Sequence, residues 1–220
     1  ARSPYWPLST RGDGDLMRRV FEMGIGQLTP ARERTRLWHG ARGAWFGETV
    51  SFWGMYANGN YGWKREGKKV GQMDNTYIRH IWQVGLELTM MMLDAYDHSL
   101  DEAFLRARVL PVAREILLYF DTRFPRDGSG KILIRPGQAC ETWQDATNPL
   151  PEVAGLHAVL ARLLDLPERL LDPALRAEWS DMRGRLPDLP LGSEGGKSFV
   201  LPAQTFTALG NIENPELYAV

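Results

Sequence analysis

The stretch NTYIRHIWQVGLELTMMMLDAY, residues 75–96, decides the fold. Ile78, Ile81, Trp82, Leu86, Leu88, Met91, Met92 and Leu93 cover most of a helical circumference, which predicts a buried helix over 75–96. Arg79, Gln83 and Glu87 fall at four-residue spacing on one stripe of that helix. Such a stripe either hydrogen-bonds to a neighbouring element or lines a central cavity.

Working outward, more helices follow. Ser99 with Glu102 reads as a capping box opening a second helix through Phe120, with Pro111 inside it as a kink. Upstream, residues 15–39 read as helix, weakened by Gly24 and Gly26 and restarted at Thr29-Pro30. Residues 40–63 are rich in glycine and aromatics and show no period, which predicts irregular backbone. Downstream come a turn at 127–130, a short strand at 131–134, and helices over 151–164 and 173–186, the last capped by Asp172. Residues 135–148 read as a loop, 187–196 as another, and 197–208 carry little periodicity. Paired helices joined by turns predict an all-α fold of antiparallel helical hairpins. No signature repeats at a fixed period, which favours a toroid of inner and outer helices over a solenoid. Such a toroid would carry its site on long aromatic-rich loops, and the chain reads as cut at both ends.

Composition narrows the function. The chain has 220 residues with 26 Lys plus Arg and 27 Asp plus Glu, so its formal net charge of −1 offers no basic footprint for nucleic acid. No apolar run approaches the roughly 18 residues of a membrane span. A single cysteine, Cys140, leaves no internal disulfide framework, and only four histidines argue against a histidine-rich metal centre. Eight tryptophans stand out, because that flat, amphipathic ring serves both cores and stacking surfaces.

Three segments could carry chemistry. In residues 135–148, Glu141 and Asp145 stand four apart with Trp143 between them and Asn148 at the end. Glycoside hydrolysis needs one carboxyl to protonate the leaving oxygen and a second group on the other side of the sugar. An aromatic platform stacks the sugar and can raise a carboxyl's pKa by desolvation. The same two acids could instead cap backbone amides. In residues 43–54, Glu48 is the only acid among aromatics that include Trp53; it is either paired with an arginine or functional. In residues 211–218, Glu213 and Glu216 crowd around a proline with two amides.

Taken together, these segments resemble the catalytic (α/α)6 toroid of glycoside hydrolase family 95, the α-L-fucosidase and α-L-galactosidase family, and more closely still an uncharacterised bacterial family related to it. The resemblance runs from about Gly43 to Val220. It rests on the Trp82–Phe120 helix pair with Asp101, Phe104, Leu105 and Pro111, on the Glu141 loop, and on Glu213 to Tyr218. It implies that Glu141 is the general acid. The family's asparagine pair before its glutamate is replaced here by Trp45, Phe46 and Gly47, its activating aspartate would fall beyond Val220, and it has histidines where this chain has Glu213 and Glu216.

The resulting expectation is one partial (α/α)6 toroid domain across residues 1–220, all-α, that works as an inverting O-glycosyl hydrolase on an α-linked sugar of a poly- or oligosaccharide. Glu141 protonates the glycosidic oxygen and Glu48 activates water. Trp53 and Trp143 stack sugar faces, and Asp145, Asn148, Glu213 and Glu216 bind substrate. No metal or organic cofactor is required. The partner is a carbohydrate substrate, with no nucleic acid and no membrane, and a secreted or periplasmic location is favoured. The alternatives are a non-catalytic carbohydrate-binding toroid and a structural helical domain.

Overall fold

The computed structural model describes residues 6–51 and 53–212. About half of the chain is helical, and small antiparallel sheets complete it, so the fold departs from the all-α expectation. The helices are α1 (Trp6–Arg11), α2 (Gly14–Gly26), α3 (Leu28–His39), α4 (Asn58–Tyr61), α5 (Val84–Ser99), α6 (Glu102–Phe104), α7 (Leu110–Arg123), α8 (Leu150–Asp165) and α9 (Pro173–Gly184). The strands are β1 (Gly137–Ala139), β2 (Trp143–Pro149), β3 (Leu191–Glu194), β4 (Lys197–Val200), β5 (Ala203–Thr205) and β6 (Ala208–Leu209).

The deciding stretch is buried as expected, but only its second half is helix. Residues 76–80 form turns, and α5 starts at Val84. The backbone of the first half is bonded sideways instead of up an i to i−4 ladder. The Gln138 carboxamide accepts from the His80 amide at 2.6 Å and donates to the carbonyls of Thr76 and Tyr77 at 3.1 and 2.9 Å. The Glu152 carboxyl accepts from the Trp82 amide at 2.9 Å. Arg79 therefore lies outside the helix, while Gln83 and Glu87 remain buried at its start.

The next helix is capped by Asp101, not by the expected Ser99–Glu102 pair. Leu100 ends α5 with a left-handed φ of 53°, and Asp101 then accepts from the Phe104 amide at 3.0 Å. The kink expected at Pro111 takes the form of a π-helical turn, Leu105–Val109, just ahead of it. Proline supplies no amide and its ring crowds the carbonyl four residues back, so a widened turn relieves both faults. Near residue 29 the cap also differs: α3 starts at Leu28 behind Gln27, with Pro30 in its first turn. The expected Asp172 cap of α9 is present, accepting from the amides of Ala174 and Leu175 at 2.9 and 3.2 Å.

Packing follows the small residues. The helix α5 lies against α7 and α8, α7 also lies against α3, and α8 against α9. A Cβ at Gly85 would run into the Ile116 side chain, so this glycine sets how closely α5 approaches α7. At Gly43 a Cβ would run into the backbone of Glu115 and Tyr119, and φ is +81°. Here the aromatic segment lies directly on α7, with the Ala44 amide donating to the Glu115 carbonyl at 3.0 Å. Phe21, Trp45, Met92, Phe120, Leu156 and Trp179 are among the side chains of the resulting core.

The 135–148 segment is strand, not loop. β2 pairs antiparallel with β1 on one side and with β5 and β6 on the other. Its alternation is broken by left-handed residues, so the strand is made by its partners and not by its own pattern. The expected strand at 131–134 shrinks to one bridge between Arg126 and Ile132. The segment 187–200, read largely as loop, holds the β3–β4 hairpin.

Candidate functional site

Four helix ends gather around Trp82. The C-termini of α3 and α7 bring His39 and Arg123, and the N-termini of α5 and α8 bring the Arg79–Gln83 segment and Glu152. Trp82 ties them to the sheet, donating its indole N–H to the Pro136 carbonyl at 2.8 Å. Around it stand His39 (ring centroids 5.4 Å apart), His80 (5.8 Å), Tyr119 (6.3 Å) and Phe124 (6.1 Å).

The turn between β1 and β2 carries Glu141, half-buried, with its Oε2 accepting from the Asn211 amide at 3.0 Å. Trp143 packs edge-on against Phe206 at 4.7 Å, and its indole nitrogen is buried without a hydrogen-bond partner. Asp145 is exposed; one carboxylate oxygen accepts from the Thr207 hydroxyl at 3.0 Å and the other lies 4.0 Å from Arg79 Nη2. Asn148 is buried. Its Oδ1 accepts from the Ile134 amide at 2.8 Å and its Nδ2 donates to Gln204 at 2.7 Å. The backbone here is unusual. Cys140, Asp145 and Asn148, with φ of 56°, 51° and 48°, are three of the four non-glycine residues at positive φ among those described. Asn and Asp tolerate this region better than other side chains, but each such residue still costs stability.

Glu48 is half-buried on the other aromatic segment, where residues 49–57 fold back through a bridge between Val50 and Tyr56. Its charge is felt by Tyr56, whose phenol is pushed up to about 12, chiefly by burial. Tyr56 stacks on Trp45 at 5.9 Å, and Trp45 meets Trp82 at 5.6 Å, so an aromatic chain links the Glu48 region to the four helix ends. Trp53 is exposed at the tip of this segment. Glu213 and Glu216 lie outside the described residues.

The structure adds residues that motif reading passed over: His39, His80, Tyr119, Arg123 and Glu152. Burial pushes His39 down to about 3, helped by Arg123, His80 and Arg34, and pushes His80 down to about 4, helped by Arg79. Both imidazoles are neutral at pH 7. Each also has a buried ring nitrogen without a partner, Nε2 in His39 and Nδ1 in His80. Burial raises the Tyr119 phenol and pushes Glu152 up to about 8; the amide of Trp82 opposes the latter shift and the nearby Glu87 adds to it. Glu152 sits beside a proline within an apolar run, so only the long-range geometry marks it. Among the described residues, no group of three or more His, Cys, Asp and Glu could hold a metal ion. No described helix is long and apolar enough to cross a membrane.

No family model matches the chain, and no curated protein matches it. Solved structures do match its fold. One, described as "Putative kojibiose phosphorylase from human microbiome", is 12% identical with a TM-score of 0.50, over 75% of this chain and 24% of that one. The chain thus spans about a quarter of that neighbour's length. The likeness is one of fold alone, and it does not single out family 95.

Proposed function

We propose that the chain is part of a sugar-processing enzyme of glycosidase type, built as one partial toroid domain, that cleaves an α-linked sugar by acid–base hydrolysis. Glu141 protonates the glycosidic oxygen and Glu48 activates the attacking water. Trp53 and Trp143 stack sugar faces, while Asp145, Asn148, Glu213 and Glu216 hydrogen-bond hydroxyls. Inversion at the anomeric carbon calls for carboxyls about 6.5–9.5 Å apart across the sugar, against about 5–5.5 Å for retention. The observation that carries the reading is the strained segment around Glu141. Left-handed, non-glycine backbone persists where surrounding structure enforces it, and it gathers at active sites and ligand clamps. The toroidal neighbour's name, which describes a disaccharide-processing enzyme, supports the sugar class.

The test is turnover of α-linked fucosides, galactosides and glucosides by the wild type and by Glu141→Gln, with and without inorganic phosphate. Turnover in the wild type, lost in the variant while binding persists, supports acid catalysis by Glu141. Turnover that needs phosphate replaces hydrolysis with phosphorolysis. A second reading, a non-catalytic sugar-binding domain, is favoured by the internal commitments of Glu141 to Asn211 and of Asn148 to Ile134 and Gln204. Binding without turnover in both forms selects it.

A further inference from the structure

Eight arginines of the described chain are half-buried, and most of them are fully occupied. Arg126, Arg162 and Arg185 donate to aspartates at 2.5–2.7 Å. Arg34, Arg65 and Arg176 donate to backbone carbonyls. Arg79 and Arg123 do neither. The nearest carboxylate oxygen to Arg79 is that of Asp145 at 4.0 Å, beyond hydrogen-bond reach, and Arg123 has the Phe124 ring at 5.3 Å and the Tyr119 phenol as neighbours. In both the Nε is buried without a partner. The two residues belong to the same group, since both act electrostatically on His80.

A guanidinium is a fork of five donors matched to a carboxylate or phosphate. The Nε–H of each is buried and unbonded, which costs stability because that donor has lost water and gained no partner. His39 and His80 both lie against Trp82, each with a buried ring nitrogen unbonded, and with the two forks that act on His80 they make a set of polar groups whose missing partner is negatively charged and rich in acceptors. No described carboxylate approaches within hydrogen-bond distance of either fork. Asp145, which is 56% exposed and accepts from the Thr207 hydroxyl with its other oxygen, stands 4.0 Å from Arg79 at the rim.

We propose that Arg79 and Arg123 form an oxyanion-binding pair, backed by His39 and His80, that takes a carboxylate or a phosphate of the ligand. That the oxyanion site exists stands on the arginines; that the oxyanion belongs to a sugar rests on the carbohydrate reading above. The bonds formed are charge-assisted N–H to O contacts, with no covalent step.

Calorimetric titration of the protein at pH 7 with glucuronate, glucose 1-phosphate, inorganic phosphate and neutral glucose tests this directly. The expected result is binding of at least one anion with glucose at least about tenfold weaker, since one hydrogen bond to a charged group is worth roughly that factor or more. Arg79→Met and Arg123→Met keep the apolar stem and should each weaken the anion about ten- to a hundredfold. Arg79→Met should leave the melting midpoint close to that of the wild type, because its fork makes no hydrogen bond among the described residues, whereas Arg123→Met also gives up its contact with the Tyr119 phenol. Where a Met variant fails to fold, Arg→Lys at the same position keeps the charge, loses the fork and should give an intermediate loss. Glucuronate alone identifies a sugar carboxylate, and glucose 1-phosphate a sugar phosphate. Inorganic phosphate alone upholds the site while removing the support for a sugar-borne anion. No anion bound at millimolar concentration, or anion binding unchanged in both Met variants, overturns the proposal. Glucose bound as tightly as the anions overturns it too, while leaving the carbohydrate reading intact.

Discussion

The far side of α8 and the sheet-side ends of the helices use the same residue types in opposite ways. Along α8, Arg162 spans Asp94 and Asp97 of α5 at 2.7 and 2.6 Å. Below α7, Arg126 and Arg185 share Asp121 at 2.5 Å, and Arg185 reaches Asp181 as well. Those charges are neutralised where they stand and staple one helix to the next. Around Trp82, Arg79, Arg123, His39 and His80 are half-buried as well, yet each leaves a buried nitrogen unbonded. A chain that completes its polar groups in one place can do so in another. The lapse on one face therefore marks where something other than the chain completes them.

The largest effect should come from Glu141. If the sheet face is the reacting one, Glu141→Gln should slow turnover by about a hundred- to ten-thousandfold, the usual contribution of a positioned acid. Its melting midpoint should stay near that of the wild type, because a glutamine still accepts from Asn211. A large loss of stability with modest loss of rate would move Glu141 to the structural side of the comparison.

Glu152 gives the next effect, read through pH. Its folded pKa, about 8, exceeds the ordinary value of 4.5 because burial disfavours the carboxylate. Between those values the native state holds a proton that the unfolded chain has released. The stabilising contribution is therefore complete below about pH 4.5 and is lost as pH rises toward 8, with a total of a few kcal/mol. Below about pH 6.5 the buried neutral His39 and His80 make stability rise with pH and oppose this term, so urea denaturation of the wild type should show the fall between about pH 6.5 and 8, and Glu152→Gln, which cannot ionise, should flatten that part of the curve. A variant whose pH profile follows the wild type would assign the fall to other groups.

Gly43→Ala comes third. A Cβ there meets the backbone of α7 at a φ of +81°, so both sterics and conformation oppose it. The cost should be about 2–3 kcal/mol, seen as a lower denaturation midpoint. Because Gly43 anchors the aromatic segment that carries Glu48, sugar binding should weaken in parallel if that segment lines the site.

Much of this was legible in the sequence, and the parts that were not share a cause. Helices α8 and α9 were readable because apolar spacing, Pro151, Pro173 and the Asp172 cap all agree locally. The stretch 75–83 looked helical because its apolar residues are dense, yet Gln138 and Glu152, 58 and 70 residues away, claim its amides. The strand β2 was unreadable because its pairing partners lie in a segment with little period of its own. The Glu141–Asp145 pair could be nominated from chemistry alone. The arginine and histidine group could not, since its members sit at 39, 79, 80 and 123 and only the helix ends bring them together.

The smallest effect is the most direct test of the comparison, because one of its two arms should be close to zero. Arg162→Met removes the cation between half-buried Asp94 and exposed Asp97 and leaves two like charges about one turn apart without it. The loss should be about 1–2 kcal/mol, above that of an isolated surface pair because two carboxylates depend on one fork. Arg79→Met removes a cation that stands 4.0 Å from its nearest carboxylate and ends its unbonded Nε. Its cost should be within about 0.5 kcal/mol of zero, and relief of the buried N–H could make it slightly stabilising. Measured by denaturation at the same pH and salt, unequal losses uphold the division between a stapled face and a face left open. Equal losses would mean that Arg79 is held in place as firmly as Arg162 and that the openness of the sheet face is not a property of the fold.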